Sequence, residues 1–110
     1  MAVTYEYDSF GTSVPADTNN ATLLTLAAGE ELIGAEVLAT NISGADLTIR
    51  VGYGTGASPD AWMCYDFTLY ANLFVRFYIP GLGSANKVFV RTSSANDVHF
   101  SISGLKKTTT

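Results

Sequence analysis

The 110-residue chain has little of what most catalytic and metal sites are built from. It contains one histidine, His99, and one cysteine, Cys64. A zinc site draws on several cysteine or histidine ligands, and one of each, far apart in the chain, does not make one. A Ser–His–Asp site needs side chains that converge, but on an extended strand Asp97, His99 and Ser101 point outward in parallel. The sequence therefore predicts no catalytic residue, no metal site and no cofactor.

The scarcity of positive charge also excludes several kinds of partner. The chain has six lysine and arginine residues and ten acidic residues, which gives a net charge of −4. Binding to nucleic acid needs clustered basic residues. No apolar run approaches the ~20 residues of a membrane span, and the first residues lack the basic start and apolar core of a secretion signal. A single cysteine forms no internal disulfide, which is typical of a reducing cytoplasm. We expect no nucleic-acid or membrane partner, and assembly in the cytoplasm.

Alternation of apolar and polar residues is the strongest positive signal in the chain. In residues 97–104, DVHFSISG, it places Val98, Phe100 and Ile102 on one side of a strand. The same pattern recurs in seven earlier segments, which are residues 3–10, 21–26, 32–40, 47–53, 61–69, 72–79 and 87–92. No segment shows a convincing helical stripe, so crossover helices for a parallel sheet are missing. The sequence predicts an all-β fold, an antiparallel β-sandwich of about eight strands that is jelly-roll-like.

Turn-rich stretches divide the chain into three predicted parts. Residues 1–20 form an N-terminal arm of one strand and a loop, residues 21–105 form the β-sandwich domain, and residues 106–110 form a flexible C-terminal tail. The arm strand has no hairpin partner nearby, so we expect it to pair with a distant strand of the sandwich or with a neighbouring subunit. The stretch Asn41–Asp46, NISGAD, is predicted to close a hairpin between the segments on either side.

The segments between residues 62 and 91 carry a second apolar face. It is rich in aromatic and arginine side chains, which are enriched at protein–protein hot spots. The alternation leaves open whether a partner or the monomer itself covers this face, and stacking of carbohydrate on the aromatics is a third possibility. With two tyrosines of the arm strand added, the candidate interface residues are Trp62, Phe74, Arg76, Tyr78, Phe89, Arg91, Tyr5 and Tyr7.

Two stretches resemble small virion accessory proteins of tailed phages, of the head decoration (cement) type. The first is ATLLTLAAGEELIGAEVLATNISGADLTIRV, and the second is VFVRTSSANDVHFSISG, so the resemblance covers about residues 21–105. It implies a non-enzymatic protein of the bacteriophage virion that stabilises the head as a homo-oligomer, with a trimer as the expected form and the major capsid protein as partner. No catalytic position carries over from that family. The alternatives are another head or tail accessory protein and a carbohydrate-binding jelly-roll module.

Overall fold

The structure, a computed structural model, describes residues 2–110 and consists of strands and loops. In chain order the strands are β1 (Val3–Ser13), β2 (Ala21–Thr25), β3 (Glu30–Asn41), β4 (Leu47–Gly54), β5 (Ala61–Leu69), β6 (Phe74–Ile79), β7 (Lys87–Thr92) and β8 (Val98–Thr109). They form two antiparallel four-stranded sheets, sheet I in the order β1-β8-β3-β6 and sheet II in the order β2-β7-β4-β5. Among these strands only β4 and β5 are both consecutive and adjacent, so most connections cross between the sheets, as in a jelly roll. The predicted fold class is confirmed, and none of the described residues forms a helix able to cross a membrane.

The hydrophobic core lies between the two sheets and is built mainly from alternate residues of β3, β4, β7 and β8. Val37 on β3 and Phe100 and Ile102 on β8 face it from sheet I, and Ile49 and Val51 on β4 face it from sheet II. All five are fully buried. Burying a side chain of this kind contributes about 1.5–3 kcal/mol relative to leaving it in water. The core therefore fixes which side of these strands faces outward.

The turn after β3 does not close a hairpin, so that prediction was wrong. β3 belongs to sheet I and β4 to sheet II, and the turn carries the chain across the sandwich. Asn41, only 1 % exposed, holds the turn. Its Oδ1 accepts hydrogen bonds from the backbone N–H and the hydroxyl of Ser43, at 2.9 and 2.8 Å. Its amide group donates to the carbonyls of Ala45, Leu69 and Tyr70, at 2.8, 3.0 and 3.2 Å.

The first and the last strand both lie in sheet I. β1 pairs with β8 from Val3–Thr109 to Ser13–Phe100, so the arm strand pairs with a distant strand of the same sandwich, one of the two options expected from the sequence. Residues 106–109 continue β8 because β1 on one side and β3 on the other supply backbone partners for them. The expected boundary at residue 105 is therefore corrected: these residues form a strand and not a free tail, and the arm strand is part of the sandwich.

A bulge in β5 changes which of its side chains face outward. The pairing of β5 with β4 shifts register twice, between Ile49 and Val51 and between Val51 and Gly52, and Asp66, opposite the first shift, has a φ of +53°. Simple alternation predicts Tyr65 on the same side as Phe67. In the structure the Tyr65 ring instead lies against the guanidinium of Arg50, 3.8 Å from its centroid to Cζ. One extra residue in a strand reverses the alternation beyond it, and a pattern of period two does not reveal where that happens.

Candidate interaction surfaces

The eight candidate interface residues lie on two outer faces of the sandwich. Sheet I carries five of them: Tyr5, Tyr7, Phe74, Arg76 and Tyr78. Sheet II carries the other three: Trp62, Phe89 and Arg91. The single face expected for residues 62–91 is therefore corrected to two faces that point in opposite directions. Alternation shows that a strand has a second face but does not show which sheet the strand joins.

The outer face of sheet I bears a groove between two exposed tyrosines. Tyr7 on β1 is 81 % exposed and Tyr78 on β6 is 72 % exposed, and the groove between them has a volume of about 340 Å³. Its other lining residues are Ile33, Gly34, Ala35, Glu36, Ser103, Gly104 and Leu105. Because tyrosine presents a large rigid ring with a polar tip, two such walls make this groove a suitable contact surface for a partner.

Two glycines form the floor of the groove. A Cβ on Gly104 would lie 2.2 Å from the carbonyl oxygen of Gly34, so β3 and β8 can approach this closely only with glycine at position 104. A Cβ on Gly34 would lie 3.2 Å from the hydroxyl oxygen of Tyr78, which places the hydroxyl end of that side chain next to the floor. The missing side chain of Gly34 leaves room for the hydroxyl end of Tyr78 on the outer surface. No periodic pattern in the sequence signals such a groove.

Charged side chains on this outer face are paired. Arg76 Nε lies 3.2 Å from Glu36 Oε1, and Lys107 Nζ lies 3.6 Å from Glu31 Oε1. Exposed pairs of this kind contribute little to stability. They do, however, leave the surroundings of the groove with balanced charge. Such a surface suits contact with protein better than contact with a polyanion.

Much of the aromatic surface on the outer face of sheet II is covered by other residues of the same face. Phe89 is only 3 % exposed and pairs with Gly52 of β4. The Trp62 ring lies over that glycine, because a Cβ on Gly52 would lie 2.8 Å from a ring carbon of Trp62. Trp62 also meets Tyr65 edge to face, with ring centroids 5.5 Å apart. Phe89 is therefore covered within the monomer and is not available to a partner.

Arg50 is the centre of a charged cluster on the same face. Its Nε and Nη2 atoms donate to the two carboxylate oxygens of Asp66, at 2.8 and 3.3 Å. This hydrogen bonding raises the pKa of Arg50 and lowers the pKa of the Asp66 carboxyl group. Arg91 lies directly opposite Arg50 on the neighbouring strand β7. Within residues 2–110, Arg91 forms no ion pair with a carboxylate.

The single histidine and the single cysteine take no part in these clusters. His99 lies exposed on β8 opposite Thr40, and the nearby Asp97 carboxylate accepts a hydrogen bond from the Ser94 hydroxyl. Cys64 is half-buried in β5, and burial raises the pKa of its thiol. In the part of the chain that the structure describes, no three histidine, cysteine or acidic side chains group closely enough to hold a metal ion.

Comparison with known proteins identifies the class of fold. No protein-family model and no characterised protein matches the sequence. The coat protein of tobacco streak virus has a similar structure, with a TM-score of 0.54 and 11 % sequence identity over 97 % of this chain and 86 % of that one. A chain from the structure of infectious bursal disease virus, Gx strain, has a TM-score of 0.50 and 18 % identity, over 96 % of this chain and 32 % of that one. The chain therefore has the jelly-roll fold found in these viral proteins.

Proposed function

We propose that the protein is a non-enzymatic structural component of a virion that decorates the capsid surface as a homo-oligomer. One fold serves many functions, so the shared jelly roll alone does not carry this proposal. The observation that carries it is the exposed aromatic face of sheet I, with Tyr7 and Tyr78 on either side of an apolar groove. Monomeric proteins seldom leave large apolar side chains grouped in this way unless they bind something.

Tyr7 and Tyr78 are the anchors of the proposed contact. Tyrosine loses little conformational entropy when it is immobilised, and it offers apolar area together with a hydroxyl group. The molecule measures 50 × 25 × 20 Å, so its broad face is large enough for a standard interface of about 800 Å² per partner. Paired charges around the groove lower the cost of bringing a second protein surface against it.

We further propose that the oligomer is a trimer, that it binds the major capsid protein, and that it assembles in the cytoplasm of the host. The resemblance of residues 21–105 to phage head decoration proteins supports these finer points. The fold, which is shared with the two viral proteins compared above, also supports a structural role in the virion. Only 15 % of the residues are charged, and such a composition also favours a protein that works in contact with other proteins.

Carbohydrate binding is the second candidate function, and the exposed ring of Tyr78 favours it. Sugars stack on open aromatic faces, and Tyr78 presents one beside the groove. Trp62, the other candidate platform, already packs over Gly52 and against Tyr65. A glycan array separates the two functions, because saturable binding to one class of sugar that is lost in Tyr78→Ser would support this candidate over the first.

Co-sedimentation with capsids tests the leading proposal. The protein is mixed with capsids assembled from the major capsid protein of the same virus and is separated on a density gradient. We expect the native protein to travel with the capsids and the double variant Tyr7→Ser, Tyr78→Ser to remain at the top. Tyr70→Ser is the matched control, because Tyr70 is 58 % exposed but lies outside the groove. Native protein that stays off the capsids would refute the decoration role.

A further inference from the structure

We propose that sheet II carries a second, independent binding site: a pocket centred on Arg91 that takes a carboxylate group presented by an acidic segment of a protein partner. The pocket has a volume of about 120 Å³, close to the size of one small charged group. Its lining residues are Thr18, Thr48, Arg50, Asp66, Arg91, Thr92 and Ser93. This site does not depend on the decoration role proposed above.

The charges in the pocket do not balance. Arg50 and Arg91 lie opposite each other on adjacent strands, an arrangement that is unfavourable for like charges. Asp66 is the one carboxylate among the lining residues, and it is bonded to Arg50. Two guanidinium groups and one carboxylate leave one positive charge, although the chain as a whole has a net charge of −4. A group with one negative charge would neutralise the pocket.

Hydrogen-bond donors remain available to such a group. Arg50 uses its Nε and Nη2 atoms on Asp66, which leaves the N–H groups of Nη1. Arg91 has its whole guanidinium fork, whose geometry matches a carboxylate. The Ser93 oxygen accepts the backbone N–H of Thr48 at 2.9 Å, so its own hydroxyl hydrogen can still point toward a ligand.

The pocket is held in place before any ligand arrives. The guanidinium of Arg50 is fixed on one side by the two bonds to Asp66 and on another by the Tyr65 ring at 3.8 Å. Asp66 adopts a left-handed backbone conformation, uncommon outside glycine, and the β5 bulge that contains it brings its carboxylate to Arg50. Backbone strain of this kind concentrates at binding sites, and groups that are already positioned lose less entropy on binding.

A carboxylate fits this pocket better than a phosphate or sulfate. Asp66 is one of the lining residues, and its carboxylate repels an anion with two negative charges more strongly than an anion with one. The surplus of one positive charge equals the charge of one carboxylate. A glutamate, an aspartate or a chain terminus of a partner protein would therefore satisfy both arginines.

Titration with small anions, followed by NMR, tests this assignment. Acetate and inorganic phosphate are added separately to ¹⁵N-labelled protein, with chloride at the same ionic strength as the reference. We expect acetate to shift the Nε–Hε signals of Arg50 and Arg91 saturably, with a dissociation constant on the order of millimolar. Backbone signals of sheet I should not move. This readout involves no capsid and no oligomer, so its failure is distinct from failure of the proposed function.

Two variants decide between the pocket and a general charge effect. Arg91→Gln keeps a polar side chain but removes the free positive charge, and it should weaken acetate binding by about tenfold or more. Lys87→Gln, which removes one positive charge from the same strand outside the pocket, is the matched control and should bind acetate as the native protein does. Equal binding by Arg91→Gln, absence of saturation, or tighter binding of phosphate than of acetate would each overturn the proposal.

Discussion

Phe67 and Phe77 meet edge to face across the gap between the two sheets, with ring centroids 5.6 Å apart. Phe67 lies on β5, the edge strand of sheet II, and Phe77 lies on β6, the edge strand of sheet I. Their contact closes this side of the sandwich and turns Phe77 inward. Because side chains alternate along a strand, Arg76 and Tyr78 must then face outward. The position of Tyr78 at the groove thus depends on packing at the opposite side of β6.

Replacing Asn41 should be the most destabilising change of a polar residue. Asn41→Ala leaves the carbonyls of Leu69 and Tyr70 without their side-chain donor near the core. We expect a loss of about 3 kcal/mol in the free energy of unfolding, measured by denaturant titration, because each unsatisfied buried group costs ~1–3 kcal/mol. Asn20→Ala, in an exposed position, is the control and should change little. An equal, small effect of both substitutions would contradict the structural role given to Asn41.

The pair of Arg50 and Asp66 should make stability depend on pH. The pKa of Asp66 is lower in the folded state than in the unfolded chain, mainly because Arg50 donates hydrogen bonds to its carboxylate. The pair therefore stabilises the fold above the unfolded pKa of about 3.9, and this contribution is lost as pH falls through the folded pKa.

Asp66→Asn tests this dependence directly. The difference in melting temperature between this variant and the native protein should be largest at about pH 5–7 and should vanish in stronger acid. Asp17→Asn, on an exposed loop, leaves the Arg50 pair intact and supplies the baseline. A difference that stays constant over the whole pH range would mean that the pair does not contribute in this way.

Removing the first strand should destabilise the sandwich itself. Deletion of residues 2–12 takes away the pairing of β1 with β8 and leaves the backbone groups of β8 unpaired along that edge. We expect the melting temperature to fall by more than about 10 °C, and association through β8 to increase. Val3→Thr keeps every backbone pair of β1 and should melt as the native protein does. An unchanged melting temperature after the deletion would show that β1 contributes no stability.

Changing the only histidine should have almost no effect. His99 is exposed on the outer side of β8, so His99→Gln should alter the free energy of unfolding by no more than ~0.5 kcal/mol. The adjacent Phe100 is fully buried in the core, and Phe100→Ala should cost about 3–5 kcal/mol. A large loss of stability or of assembly in His99→Gln would assign this residue a function that its position does not suggest.

The strands were predictable because burial of one side of a sheet forces a period of two. The predicted segments 61–69 and 87–92 coincide with β5 and β7. The last strand extends further than predicted, because residues 106–109 are polar and are held by backbone pairing on both sides. Backbone hydrogen bonds need no particular side-chain pattern. A strand of this kind therefore leaves no periodic signal in the sequence.

The arrangement of the outer faces was not predictable from the same pattern. Trp62 and Tyr78 lie on consecutive strands, and only the crossing of the chain between β5 and β6 puts them in different sheets. The pocket around Arg91 depends on a bulge at Asp66, where no glycine marks the left-handed turn of the backbone. Both features arise from long-range pairing, which a single sequence does not display.

Sedimentation velocity of the purified protein measures whether the groove of sheet I is an assembly surface. We expect a discrete homo-oligomer for the native protein and for Tyr70→Ser. We expect the double variant Tyr7→Ser, Tyr78→Ser to shift to monomer, with an unchanged circular dichroism spectrum because both rings are exposed. A native protein that is monomeric at every concentration, or a folded double variant that remains fully oligomeric, would contradict this assembly role.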